Sequence, residues 1–141
     1  MHKLSNLLFV SSNIHKFKEA REILDSFGIT IKFFKLTLEE IQSNSIKQIA
    51  TKKAQDAFSK CNTSLIIEDD GLHIDSLDGF PGPYSSYVQK TIGNKGILNL
   101  LKASRDAKFI STITYCDKNN LPATNASMQR TFIMRLRLFL H

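Results

Sequence analysis

Residues 7–34 alternate two short apolar runs with one helical-period segment, and that order narrows the architecture more than any other stretch of the chain. Leu7-Leu8-Phe9-Val10 has the pattern of a buried strand, and Ser11-Ser12-Asn13 breaks it with residues that favour caps and turns. From Ile14 to Phe27 the apolar positions Ile14, Phe17, Ala20, Ile23, Leu24 and Phe27 recur at three and four. That spacing predicts a helix with one core-facing stripe, and Gly28 stands where a C-terminal cap is expected. Ile29-Thr30-Ile31-Lys32-Phe33-Phe34 reads as a second strand of β-branched and aromatic residues. Strand, helix and strand in that order predict a βαβ-like beginning.

The remaining segments continue in the same style. Leu36 to Ile41 reads as a loop holding Glu39 and Glu40, and Ser43-Asn44-Ser45 supplies an N-cap. A helix from about Ile46 to Lys60 places Ile46, Ile49, Ala50, Ala54, Ala57 and Phe58 inward, with Lys47, Lys52, Lys53 and Lys60 off or beside that stripe. Tyr84 to Lys90 and Gly96 to Lys102 read as helices, and Lys108 to Cys116 is the strongest strand pattern present. Asp117-Lys118-Asn119-Asn120 then reads as a hairpin-type turn. A chain of 141 residues with no repeat or linker is expected to form one domain.

Several function classes fall away on composition. The Leu7–Val10 run is far too short to span a membrane, and the N-terminus lacks the apolar region and cleavage site of a signal peptide. These features predict a cytoplasmic protein without a membrane partner. Cys61 and Cys116 lie far apart and outside any metal-ligand spacing, so reduced thiols are expected. The net charge of +6 raises the question of nucleic acid, but half of it sits in residues 123–141, where Arg130, Arg135 and Arg137 meet no acidic residue. The body is only mildly basic and lacks aromatics interleaved on a basic face, so no specific nucleic-acid partner is expected.

Chemistry concentrates between residues 64 and 85. Ser64-Leu65-Ile66-Ile67 reads as a buried strand, and Glu68, Asp69 and Asp70 sit where it surfaces. Three adjacent carboxylates repel one another unless screened, so the cluster favours a hard divalent ion with oxygen ligands, such as magnesium. The plain alternative is a solvated acidic turn closed by Gly71. Leu72 to Asp75 alternates as a short strand, while Asp75 and Asp78 read as caps of the turn into Gly79. His73 and His15 have no ligand partner at suitable spacing and read as surface or capping residues. Upstream, Ser11-Ser12-Asn13-Ile14-His15-Lys16 joins a strand to a helix, where unpaired N–H groups can hold a phosphate or simply be capped. The loop is not a P-loop, because the GxxxxGK[ST] pattern is absent.

In combination these motifs resemble a known family. Ser-x-Asn-x-x-Lys at residues 11–16, Leu38-Glu39-Glu40-Ile41-Gln42, Lys52-Lys53-Ala54, Glu68-Asp69-Asp70-Gly71-Leu72 and Gly79-Phe80-Pro81-Gly82-Pro83-Tyr84-Ser85 occur in the order seen in inosine/xanthosine triphosphate pyrophosphatase-like proteins. The resemblance runs from about Leu7 to Pro122. It implies an elongated, two-lobed α/β fold with a central mixed β-sheet flanked by helices, usually assembled as a homodimer. It also implies magnesium-dependent cleavage of ITP, dITP or XTP to the monophosphate and pyrophosphate. Carried over by motif, Ser11, Ser12, Asn13, Ile14, His15 and Lys16 bind the triphosphate, Lys53 is a second phosphate-neutralising lysine, and Asp70 contacts substrate. Glu40 and Asp69 match metal-binding positions, and Asp69 is also the proton acceptor.

Past Pro122 the resemblance stops. The family's Phe-Gly-Tyr/Trp-Asp segment, a later lysine and a Ser-His-Arg motif, which close over the base, have no counterpart in residues 123–141. The chain therefore reads as a pyrophosphatase-like domain over residues 1–122 and an atypical basic and apolar tail, as a truncated or out-of-frame end would produce. Activity and base selectivity are expected to be impaired. The competing expectation is a non-catalytic remnant that only binds nucleotide or dimerises. Met128 to Leu140 fits a helix with Phe132, Leu136 and Phe139 on one side, and equally a strand alternating Arg135 and Arg137 against Leu136 and Leu138.

Overall fold

The computed structural model describes residues 6–119 and 127–136. In chain order the elements are β1 (Leu7–Ser11), α1 (Ile14–Asp25), β2 (Ile31–Lys35), α2 (Ile46–Cys61), β3 (Leu65–Ile74), β4 (Pro81–Gly82), α3 (Ser85–Thr91), α4 (Gly93–Leu100), β5 (Asp106–Cys116) and β6 (Ser127–Arg135). One sheet of order β2-β1-β3-β5-β6 holds them together, with β4 paired to β3. β1 runs parallel to β2 and β3, and β3, β5 and β6 run antiparallel to one another. The result is a mixed central sheet flanked by helices, and the βαβ start is present as β1-α1-β2.

The period-two alternation of the strands divides the two helices between opposite faces. Val10, Leu65, Ile67 and Cys116 meet Ala54 and Ala57 of α2 in one core. Leu7, Phe9 and Ile31, with Ile66 and Tyr115 beside them, meet Phe17 of α1 in another. A third cluster of Ile74, Val88, Ile97 and Ala107 joins α3 and α4 to the far ends of β3 and β5, forming the second lobe.

The expected stripes fare differently on the two long helices. On α2, Ile46, Ile49, Ala50, Ala54 and Ala57 are all buried, and Ser45 caps its start by accepting from the Gln48 N–H. On α1 only Phe17 is buried, whereas Ile14, Ile23 and Phe27 are exposed. That helix lies beside the edge strand β2, so the sheet beneath it covers fewer of its residues. Phe27 also follows the last helical residue, in the turn closed at Gly28 with φ of +72°.

Two strand expectations are corrected. The acidic triplet does not end a strand, because β3 continues from Leu65 to Ile74, paired residue by residue with β5 from Cys116 to Ala107. The separate strand expected from Leu72 is the second half of β3. In the tail, Ser127–Arg135 is a strand, since β5 offers it a full row of backbone partners from Thr114 to Asp106. Asn119 closes on the Asp117 carboxylate at 2.8 Å as a turn residue would, while Asn120 and the connection to β6 lie outside the described residues, as does the tail beyond Leu136. Among the described residues no helix is long and apolar enough to cross a membrane. Cys61 and Cys116 are both free thiols.

Candidate active site

A cleft of about 980 Å³ runs between the two lobes. Its lining includes every residue singled out from the motifs: Ser11, Ser12, Asn13, Ile14, His15, Lys16, Glu40, Lys53, Asp69 and Asp70. These residues come from β1, α1, the loop after β2, α2 and β3, so only folding gathers them. On the second-lobe side the lining adds Ser85, Ser86, Gln89 and Lys90 of α3, with Phe109 and Met134 from β5 and β6.

The continuity of β3 resolves the crowding of its three carboxylates. Successive side chains on a strand point to opposite faces, so Glu68 and Asp70 face α1 while Asp69 faces α2. Each face supplies a lysine. Lys16 Nζ lies 3.2 Å from Glu68 Oε2 and 3.0 Å from Asp70 Oδ2. Lys53 Nζ lies 2.7 Å from Asp69 Oδ1 and 2.5 Å from Glu40 Oε1. Two lysines against four carboxylates leave the cleft floor net negative, which suits a divalent cation together with an anionic substrate.

Burial and charge act against each other here. Burial opposes the charge on Lys16, but Glu68 and Asp70 outweigh it and hold the ammonium above its ordinary 10.5. Lys53 is likewise held above 10.5, burial being outweighed by Asp69 and Glu40. For Asp69 burial wins over the attraction of Lys53, so its carboxyl lies above the usual 3.8. Glu68 is raised above 4.5 for the same reason, against Lys16 and the Ser111 hydroxyl, which donates to Oε1 at 3.1 Å.

The loop from Ser11 to Lys16 is both capped and open to the cleft. Asn13 accepts from the His15 N–H at 2.9 Å, and Ser11 Oγ accepts from the Asn13 N–H at 3.0 Å. His15 is exposed and His73 is half-buried, with its ring beside Gly82. Residue types alone gave Glu68 only as one of an acidic triplet, without its pairing to Lys16, and did not single out Ser111. The parity of Glu68 with Asp70 on one strand was the available signal, but it becomes readable only once β3 is known to continue through them.

The geometry fits a cation in one further respect. Glu40, from the loop after β2, and Asp69 of β3 are drawn together by Lys53 in the cleft, so two carboxylates are already held side by side. Among the described residues no three His, Cys, Asp or Glu side chains converge into a ready-made cage. A metal here would take at most the pair Glu40 and Asp69 from the protein. A hard divalent cation held by so few carboxylates completes its shell with water and other oxygen ligands.

The sequence profile described as the Ham1 family matches residues 7–132, ten residues beyond the point where the motif resemblance ends. A Methanopyrus kandleri protein named dITP/XTP pyrophosphatase is 44% identical over 120 residues, covering 84% of this chain and 64% of that protein. A Korarchaeum cryptofilum protein of the same name is 37% identical over 133 residues, covering 93% and 72%. The chain thus spans about two thirds of the length of these relatives. Among solved structures, a HAM1 protein from Coxiella burnetii superposes with a TM-score of 0.77 at 23% identity, over 92% of this chain and 72% of that one. A Staphylococcus aureus Ham1 protein does so with a TM-score of 0.70 at 20% identity, which again speaks for the fold.

Proposed function

Because the chain belongs to the Ham1 family, we propose that it hydrolyses purine nucleoside triphosphates with non-standard bases, ITP, dITP or XTP, to the monophosphate and pyrophosphate. The observation that carries this reading is the pairing of Lys16 and Lys53 with carboxylates of both faces of β3 in one cleft. The names of the archaeal relatives support the substrate class.

The reaction needs a water oxygen to bond to the α-phosphorus while the bond to the bridging oxygen breaks and pyrophosphate leaves. Asp69 takes the proton of that water, its raised pKa bringing its basicity closer to the task than an exposed aspartate. Lys16 and Lys53 stay cationic and neutralise phosphate oxygens, with Ser11, Ser12 and Asn13 adding short polar groups at the start of α1. Glu40 and Asp69 would hold magnesium, which when bound polarises the phosphoryl group and helps deprotonate the water. Asp70 orients substrate beside Lys16.

Distinguishing a 6-keto from a 6-amino purine requires polar groups that suffer when left unpaired. Ser86 and Gln89 on the α3 side are exposed, so little is lost by leaving them hydrated. Base selectivity is therefore expected to be weak. A homodimer is inferred from the apolar surface of Phe80, Tyr84, Tyr87 and Ile92, and a cytoplasmic location from the two free thiols.

Pyrophosphate release from ITP, dITP, XTP and ATP, with and without magnesium, tests the proposal. Turnover that requires magnesium, is lost in Asp69→Asn and differs little among the bases is expected. Nucleotide binding without any release would leave only a binding protein, and a strong preference for ITP or XTP would refute the weak selectivity.

A further inference from the structure

Asp69 of β3 stands directly opposite Thr112 of β5 in the antiparallel ladder. Both side chains face α2, the side on which Ile67 and Cys116 enter the core. Asp69 Oδ1 is taken by Lys53 at 2.7 Å, but Oδ2 is buried with no hydrogen-bond partner among the described residues. Thr112 is completely buried, and its Oγ1 has no hydrogen-bond partner among the described residues. An acceptor and a hydroxyl donor on one face of adjacent strands thus each bear the cost of an unmade buried hydrogen bond. Directly opposite residues have Cβ atoms roughly 4.5–5.5 Å apart, close enough for a rotation about the Thr112 side-chain torsion to join the two. If only packing mattered, valine would fill the same volume without burying a hydroxyl.

We propose that Thr112 is a positioning residue for Asp69, its hydroxyl donating to Oδ2 and fixing the plane of the carboxylate against Lys53 and the cleft. This rests on the reading of Asp69 as proton acceptor. Thr112 lies behind Asp69 and outside the cleft lining, so it acts through the carboxylate and not on the nucleotide. Without the bond the carboxylate swings about its own torsion, and the lone pair that receives the proton of water is misaligned. The consequence falls on kcat, while KM for the nucleotide stays close to wild type.

Thr112→Val and Thr112→Ser separate this role from packing. Valine keeps the shape and removes the hydroxyl, and serine keeps the hydroxyl and removes a methyl group. Thr112→Val is expected to lower kcat about tenfold, within the range that small misplacements cost, whereas Thr112→Ser retains most of the wild-type rate. In thermal unfolding, Thr112→Val should lower Tm by roughly 3–8 °C, the shift expected for losing a hydrogen bond to a charged group in a chain of this size. The same substitution in an Asp69→Ala background should leave Tm unchanged or raise it. The proposal is overturned if Thr112→Val keeps the wild-type kcat, if serine loses as much as valine, or if valine lowers Tm equally in both backgrounds. A wild-type chain without turnover would defeat the hydrolase reading alone, because the unfolding comparison needs no turnover and still decides the contact.

Discussion

Asp69 carries a charge that folding by itself disfavours. Its carboxyl is raised by burial more than Lys53 lowers it, and Glu68 is raised by burial more than Lys16 lowers it. A carboxyl whose folded pKa exceeds its unfolded value contributes stability that is complete below the unfolded value and lost as pH rises through the folded one. At neutral pH both charges therefore oppose folding. Asp69→Asn is expected to raise the Tm of the metal-free protein at neutral pH, and the gain should fade as the pH falls toward 3.8, where the wild-type carboxyl is itself protonated. The same substitution should cut pyrophosphate release by about a hundredfold or more, the contribution of a positioned general base. Melting curves across this pH range check the sign, and a lower Tm at neutral pH would mean that the Lys53 pair outweighs burial. The lysines give a second test. Lys16→Met or Lys53→Met, which keep most of the aliphatic stem, should weaken triphosphate binding by roughly 1.5–3 kcal/mol, the range for hydrogen bonds to charged groups. Unchanged affinity in both titrations would move the phosphate site elsewhere.

Element packing explains why a glycine follows the acidic triplet. A Cβ on Gly71 would lie 2.5 Å from the Gly82 carbonyl oxygen and 2.7 Å from Ile46 Cδ1, so β3 could not sit between β4 and α2. Ser85, the first residue of α3, then ties β3 to β4, its Oγ donating to the Gly82 carbonyl at 2.6 Å and accepting from the Leu72 N–H at 2.7 Å. Gly71→Ala should destabilise the protein by about 1–3 kcal/mol through overpacking against backbone that cannot yield. It should also lower activity, since β4 and α2 border the cleft. Urea unfolding with an unchanged midpoint would show that the β4 loop shifts freely. The alternation that made three adjacent carboxylates look strained is what relieves them, because β3 sends two to one lysine and one to the other.

At the scale of the whole molecule, the second lobe leaves Phe80, Tyr84, Tyr87 and Ile92 exposed in one region, with Tyr87 70% accessible. Covering such a surface is favourable in water, and a second copy is the inferred cover. Sedimentation should give twice the mass of the 141-residue chain, and Tyr87→Glu should return it to one chain without lowering Tm. A wild type that sediments as a monomer at all concentrations would refute the dimer. β6 also changes the picture of the molecule, since Leu136 packs beside the second-lobe core and the Leu136 N–H donates to the Arg105 carbonyl at 2.8 Å.

The alternating strand and helix order, the caps at Asn13 and Ser45 and the inward stripe of α2 were legible in the sequence, because each depends on a period or spacing within a few residues, whereas the cleft's motif residues were carried over from a family resemblance. What the sequence left open depended on partners far along the chain. Whether Glu68 to Asp70 form a turn or a strand is decided by β5, where Ser111 meets Glu68 across 43 positions. Whether Ile23 and Phe27 are core is decided by how little sheet lies under α1. Whether 127–135 is helix or strand is decided by the free edge of β5. The matching of Lys16 with Glu68 and Asp70, of Lys53 with Glu40 and Asp69, and the placing of Thr112 directly opposite Asp69 belong to the tertiary structure alone. A sequence carries side-chain chemistry and local period, but which charge faces which across a sheet follows from register, and register is a property of the folded chain.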